Sequence, residues 1–277
     1  MQYLVENPNG ATVSILFPKD GGEYDLENII KSIQRMDELS PKCDFIITGG
    51  EPFSVNKIPV LRSILDAISA LKSPHRLFMD TLMLQYYDSD KDIILEILDR
   101  YRACITGLNI LRRTDNTTEY DIDFLYEINK ICPVRISVEV AGRDLKNMSA
   151  VLLFKLSYSD FPIQYRRSNK NISYTDLISP DQYFVRLRDI YAAHQIKVVS
   201  DIKTNQSYWT VSDNAVYHVK LPYSKVPIGN DRYILVDIII DGSGLILEEW
   251  PEYSLNLDLL NLDLYEQRQI FYRGEEC

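Results

Sequence analysis

Short runs of alternating apolar and polar residues are interleaved along the chain with longer segments in which apolar residues recur every three or four positions. This is the pattern of repeated strand-helix units and a mainly parallel sheet. Thr12 to Phe17 alternates and predicts a strand. Behind Asp25, a candidate N-cap, Leu26, Ile29, Ile30, Ile33 and Met36 share one helical face. Asp44 to Thr48 predicts the second strand, and Lys57 to Leu71 the second helix, with Leu61, Ile64, Leu65 and Ile68 on one side. Leu77 to Thr81 with Ile93 to Tyr101, and Ile105 to Ile110 with Phe124 to Ile131, repeat the unit. Val134 to Val140 is a fifth strand followed by a helical Leu145 to Leu156. Pro162 to Arg166 is a sixth, followed by a helix over Asp181 to His194, where Ser179-Pro180 supplies an N-cap and a first-turn proline.

The pattern changes after residue 196. Tyr208 to Leu221 and Tyr233 to Leu247 read as antiparallel pairs turned at Asp213-Asn214 and at Asp241-Gly242-Ser243-Gly244. Leucine spacing over Leu255 to Ile270 predicts a final helix before a charged tail that ends in Cys277. The expected organisation is an α/β part over residues 1–196 and a β-rich C-terminal extension over residues 197–277 that ends in a helix.

Composition narrows the function classes. The chain has 277 residues, long enough for a full core, and its 30 Lys plus Arg stand against 40 Asp plus Glu, a net charge of −10. That balance is opposite to a phosphate-backbone footprint, so nucleic acid is not an expected partner. The N-terminal residues lack a basic, apolar leader, and no apolar run approaches the roughly 20 residues of a membrane span, so a cytoplasmic, membrane-free protein is expected. The four cysteines, Cys43, Cys104, Cys132 and Cys277, are too scattered for a disulfide scaffold or a closed metal knuckle, and they read as ordinary free thiols. His75, His194 and His218 lie far apart and read as helix-end or surface residues, and Arg112-Arg113 and Arg166 to Asn171 as small basic patches in solvated loops. Nucleophile-elbow, P-loop, zinc-protease and dinucleotide-binding signatures are all missing from the sequence.

Two features carry chemistry. The first is Thr48-Gly49-Gly50-Glu51-Pro52, at the carboxyl end of the second strand, the edge where parallel α/β folds place ligands. Glycines there let a ligand approach backbone carbonyls, the glutamate is a negative acceptor for an ammonium group, and the proline stiffens the exit. The second is alternation in late strands: Arg135, Ser137 and Glu139 oppose Ile136, Val138 and Val140, and Gln164 and Arg166 oppose Ile163 and Tyr165. A buried parallel strand normally reads as a continuous apolar run, so this polar face points to a hydrated or ligand-filled lumen; for the sixth strand, an edge position with one wet face is the alternative. Asp80 and Asn109 join that face only if their strand register puts them there.

The block Thr48-Gly49-Gly50-Glu51-Pro52 after an apolar second strand resembles the radical SAM superfamily, in which this segment holds the methionyl amino group of S-adenosylmethionine. Gly107 to Arg113 and Val134 to Ser137 look like the family's fourth and fifth strands. The resemblance implies a partial (β/α)6 barrel over residues 10–200, with a β-rich C-terminal extension. It implies S-adenosylmethionine as cofactor at Gly49, Gly50, Glu51 and Pro52; the polar strand face adds Asn109 and Ser137 to the cofactor candidates and Asp80, Arg135, Glu139, Gln164 and Arg166 as substrate candidates. The family also carries three cysteines spaced Cys-x3-Cys-x2-Cys after the first strand, and these ligate a [4Fe-4S] cluster. Here that loop, Phe17 to Tyr24, contains no cysteine and no histidine, and Asp20, Glu23 and Asp25 are hard oxygen donors mismatched to a cluster that needs thiolates. The expectation is a degenerate member without a [4Fe-4S] cluster: a non-catalytic ligand-binding or protein-interaction scaffold that retains a site for S-adenosylmethionine or a related ligand. The alternative is a cluster-independent enzyme acting on a small anionic substrate, with Glu139 or Asp80 as acid or base and Arg135 or Arg166 gripping the anion. The aromatic-rich extension, with Tyr208, Trp209, Tyr217, Tyr223, Tyr233 and Trp250, is the expected surface for a protein partner or self-association.

Overall fold

A computed structural model describes residues 11–17, 24–39, 43–83, 88–113, 122–140, 152, 155–167, 197–201, 206–212, 215–220, 225–229, 232–235, 237–247, 256–257 and 272–274. The first half alternates as its periodicity predicts: β1 (Ala11–Leu16), α1 (Leu26–Leu39), β2 (Cys43–Thr48), α2 (Ile58–Ser69), β3 (Arg76–Thr81), α3 (Asp88–Arg100), β4 (Ile105–Arg113), α4 (Ile122–Ile131), β5 (Val134–Val140) and β6 (Ile163–Arg167). Nine further strands follow: β7 (Lys197–Asp201), β8 (Gln206–Ser212), β9 (Ala215–Lys220), β10 (Lys225–Gly229), β11 (Arg232–Leu235), β12 (Asp237–Ile240), β13 (Ile246–Leu247), β14 (Asn256–Leu257) and β15 (Tyr272–Gly274). Of the expected helix over Leu145 to Leu156, Leu152 and residues 155–157 are described and helical, whereas the expected helix at 181–194 and the loop at 18–23 lie outside the described residues.

One 12-stranded sheet runs in the order β14-β13-β12-β1-β2-β3-β4-β5-β6-β9-β8-β7. Its eight central strands, β12 through β9, run parallel to one another. This is a mixed α/β fold with a mostly parallel sheet. Register pairs Val13 with Phe45, Phe45 with Leu77, Ile110 with Ile136, and Ile136 with Ile163. Paired residues share a face, so one side of the sheet is continuously apolar. It packs in a single core with Ile29, Ile33 and Met36 of α1, Leu61 and Leu65 of α2, Ile97 and Leu98 of α3, and Leu125 and Ile128 of α4. Each such side chain contributes about 1.5–3 kcal/mol on burial. The expected N-cap forms: Asp25 Oδ1 accepts from the Asn28 backbone N–H at 3.0 Å.

Six of the strands after residue 196 extend this sheet, β12, β13 and β14 at one end and β7, β8 and β9 at the other, whereas β10, β11 and β15 form a separate three-stranded antiparallel sheet. The expected hairpins are present as antiparallel β8-β9 and β12-β13, yet β12 also pairs in parallel with β1, and β9 with β6. The turn between β12 and β13 docks on the start of α1. There the Asp25 backbone N–H donates to Gly242 O at 2.8 Å, and the buried Ser32 hydroxyl donates to Gly244 O at 2.5 Å.

Three expectations are corrected. Asn256–Leu257, inside the expected C-terminal helix, is a strand that pairs with β13, because an extended segment there satisfies the sheet edge; residues 258–271 lie outside the described residues. His75 is not a surface residue: its side chain is 2% exposed, with Nε2 at 2.7 Å from Asp37 Oδ1. Its Nδ1 accepts the Cys43 backbone N–H at 3.0 Å, so the proton of the neutral ring sits on Nε2. Arg112 is not in a solvated loop either. It is a buried residue on the helix face of β4, where its guanidinium meets backbone carbonyls and the Tyr158 hydroxyl.

Candidate functional site

At the carboxyl edge of β2 the ladder runs one residue past the strand of β1, with the Phe17 N–H donating to Thr48 O at 2.6 Å. The chain then reverses at Gly49, whose φ of +103° is open to glycine and strained for other residues; a Cβ there would lie 3.4 Å from Phe17 O. Two consecutive residues of β3 pin the turn from opposite faces of the sheet. On one face, Asp80 Oδ2 accepts from the Thr48 hydroxyl at 2.9 Å. On the other, Glu51 Oε1 accepts from the Thr81 hydroxyl at 2.6 Å, and Glu51 Oε2 from the Leu82 N–H at 2.8 Å. Glu51 Oε1 also lies 3.3 Å from the Phe53 N–H, and Pro52 and Phe53 are buried beneath the exit. The Glu51 carboxylate is therefore largely engaged within the protein. The Gly49 and Gly50 carbonyls of the turn take no backbone hydrogen bond among the described residues.

Leu82 is held at both backbone groups, since its carbonyl accepts from Arg112 Nη1 while its N–H meets Glu51. Met83, next along, has a φ of +42°, a conformation uncommon for a residue with a side chain and sustained here by the bonds that fix Leu82. Arg112 Nε in turn donates to the buried Tyr158 hydroxyl at 3.3 Å.

Register settles where the remaining candidates stand. Asp80 pairs with Asn109, and Asn109 with Arg135, which places all three in one row on the polar face. The row is hydrogen-bonded throughout. Asn109 Nδ2 donates to Asp80 Oδ1 at 2.8 Å, while Arg135 Nε and Nη2 donate to Asn109 Oδ1 at 2.9 and 2.7 Å. Asp80 and Asn109 are 8% and 7% exposed. In the next row Ser137 pairs with Gln164, at 1% and 3% exposure, and the Ser137 hydroxyl has no hydrogen-bond partner among the described residues. In the third row the backbone register places Glu139 beside Arg166, and Arg166 beside His218. The structure thus brings Thr48, Asp80, Asn109 and Arg135 together, with Ser137 and Gln164 alongside. Glu51 is anchored on the opposite side of β3.

Sequence reasoning passed over Thr48, Thr81 and Arg112. The available signal was parity: Thr48 is the last residue of β2 and shares its face with Asp44 and Ile46, away from Phe45 and Ile47.

The three described cysteines sit at the other end of the sheet. Cys43 opens β2, Cys104 precedes β4, and Cys132 lies between α4 and β5; none of the three is in a disulfide. Five residues at ~3.3 Å each separate Cys43 from Thr48, a span of roughly 16 Å along β2. Burial pushes the Cys132 thiol up to about 11, and burial raises Cys104 against a hydrogen bond with Ser69. Among the described residues no group of three His, Cys, Asp or Glu side chains is placed to hold a metal ion. The described residues around the Gly49-Gly50 turn include no thiol and so do not fit an iron-sulfur cluster there. No helix among the described residues is long and apolar enough to cross a membrane.

No protein-family model matches the chain, and no curated protein does. Solved structures match over nearly its full length. Polyhistidine-tagged anSMEcpe with bound AdoMet (S-adenosylmethionine) superposes with a TM-score of 0.54 at 11% identity, covering 94% of this chain and 82% of that one. Native anSMEcpe with bound AdoMet and Cp18Cys peptide gives 0.51 at 12% identity, with the same coverage. Streptococcus suis SuiB bound to S-adenosylmethionine gives 0.55 at 13% identity, covering 93% of this chain and 65% of that one. These are radical SAM enzymes, and the chain has a radical SAM-like fold.

Proposed function

We propose that this protein binds S-adenosylmethionine, or a ligand with the same amino-acid end, on the polar face of its sheet, and that it does so without an iron-sulfur cluster as a non-catalytic scaffold. The observation that carries the reading is the turn at Thr48 to Glu51. It is pinned on both faces by Asp80 and Thr81, its glycine carbonyls are left open as acceptors, and Glu51 adds negative charge next to them. Such a turn is organised for an ammonium group before the ligand arrives, which lowers the ordering cost of binding. The buried Ser137 hydroxyl, partnerless among the described residues, and its register neighbour Gln164 supply further hydrogen-bonding groups on the same sheet face as Asp80. The AdoMet-bound structures of the same fold support the choice of ligand.

The second half of the proposal rests on chemistry. Reductive cleavage of S-adenosylmethionine needs an electron that a cofactor supplies, not the protein. With no cysteine between Phe17 and Tyr24, and with the described cysteines at the opposite edge, the proposed activity stops at binding. Isothermal titration tests the binding half: the intact protein is expected to take up one equivalent of S-adenosylmethionine, and Glu51→Ala to lose it by loosening the turn. Absence of any heat with the intact protein removes the cofactor reading and leaves only the fold.

A further inference from the structure

Asp80 is a carboxylate that the fold buries with no direct counter-cation among the described residues. It is 8% exposed, and its hydrogen-bond donors there are neutral: the Thr48 hydroxyl on Oδ2 and the Asn109 amide on Oδ1. The cation of its row, Arg135, meets it through Asn109, on whose carbonyl oxygen both Nε and Nη2 converge. An ionised carboxylate offers about four acceptor positions, and one donor on each oxygen leaves capacity on both. A positively charged donor makes a shorter and stronger bond to such an acceptor than a neutral one. The two donors also fix the carboxylate plane, so its remaining lone pairs have set directions. The row is polar along its length, negative at β3 and positive at β5, with the neutral amide of Asn109 oriented between them.

We infer that Asp80 anchors a cationic nitrogen of a second small-molecule ligand, a primary ammonium or a guanidinium, on the polar face beside the Gly49-Gly50 turn. The inference rests on the ligand-binding reading of that face, and it reverses the anionic charge that the arginines alone suggest for such a ligand. The Gly49 and Gly50 carbonyls serve the amino group of S-adenosylmethionine, and Asp80 serves a second molecule.

Two small probes test this by calorimetry on the full chain: cadaverine and agmatine, each set against uncharged 1,5-pentanediol. Both cations are expected to bind and the diol not to. Asp80→Asn, which keeps the shape and one acceptor oxygen while removing the charge, should weaken them by about tenfold or more. Equal behaviour of cations and diol, or cation binding that survives Asp80→Asn, overturns the inference. Should Asp80→Asn not fold, the comparison of cations with diol on the unmodified protein still decides. A parallel S-adenosylmethionine titration separates the two readings. Its failure with retained amine binding removes only the cofactor reading, whereas S-adenosylmethionine binding without amine binding overturns the Asp80 assignment alone.

Discussion

Asp80 and Thr81 are neighbours in sequence whose side chains leave β3 on opposite faces, and each holds one end of the same glycine turn. Part of this was legible in the sequence. Gly49-Gly50-Glu51-Pro52 announces a turn with open carbonyls, and alternation sorts Arg135 and Ser137 from Ile136 and Val138. The face taken by Asp80 and Asn109 was not legible, because a period of two defines two faces without saying which one meets Arg135. Only the register between β3, β4 and β5 decides that. His75 illustrates the same limit at the other rim. A lone histidine after Pro74 looks exposed, yet the cross-chain approach of Asp37 and the Cys43 N–H makes it a buried link. Asp37 has a pH consequence. Burial alone would raise its carboxyl, but hydrogen bonds from Ser73, His75 and the Lys72 backbone outweigh that and hold it below the ordinary aspartate value. A lowered folded pKa gives stability that is complete above the unfolded value near 3.9 and is lost as pH falls through the folded one. Urea midpoints at pH 7 and pH 3 should therefore drop less for Asp37→Asn than for the native protein. An equal drop contradicts the assignment.

At the level of elements, the first four strand-helix units and the strands β5 and β6 followed directly from hydrophobic period, since each of α1 to α4 buries one stripe on a continuous apolar sheet face. The C-terminal elements were harder to read. Ile238, Ile239 and Ile240 are apolar without interruption because β12 lies inside the sheet beside β1, a pairing between residues more than two hundred positions apart that local pattern does not encode. Leucine spacing at 255–270 imitated a helix where β14 begins. The hairpin turn that seats β12 offers a direct check. Gly244 has a φ of +86°, and a Cβ there would lie 2.5 Å from Asn28 Cβ and 2.8 Å from the Ile29 nitrogen. Gly244→Ala must displace the turn from α1 and strain the Ser32 bond to the Gly244 carbonyl, a cost of roughly 2–4 kcal/mol. Chemical denaturation that shows less than about 0.5 kcal/mol of destabilisation, the level of a neutral surface change, argues that the hairpin does not dock this way.

Over the whole molecule, the two ends of the sheet carry different chemistry. The carboxyl edge presents the glycine turn, and the polar face beside it the Asp80-Asn109-Arg135 row with Ser137 and Gln164. The amino edge carries Cys43, Cys104, Cys132 and the Asp37-His75 link. The carboxyl edge is thus hydrogen-bonded in detail while the described thiols stand a strand's length away from it. The proposed binding of S-adenosylmethionine does not depend on iron. Anaerobic reconstitution with iron and sulfide, followed by desalting, an absorbance scan and titration with S-adenosylmethionine, tests this directly. The expected result is a colourless protein whose binding is the same before and after the treatment. A brown protein that retains iron-thiolate absorbance, with binding that appears only after reconstitution, would contradict it.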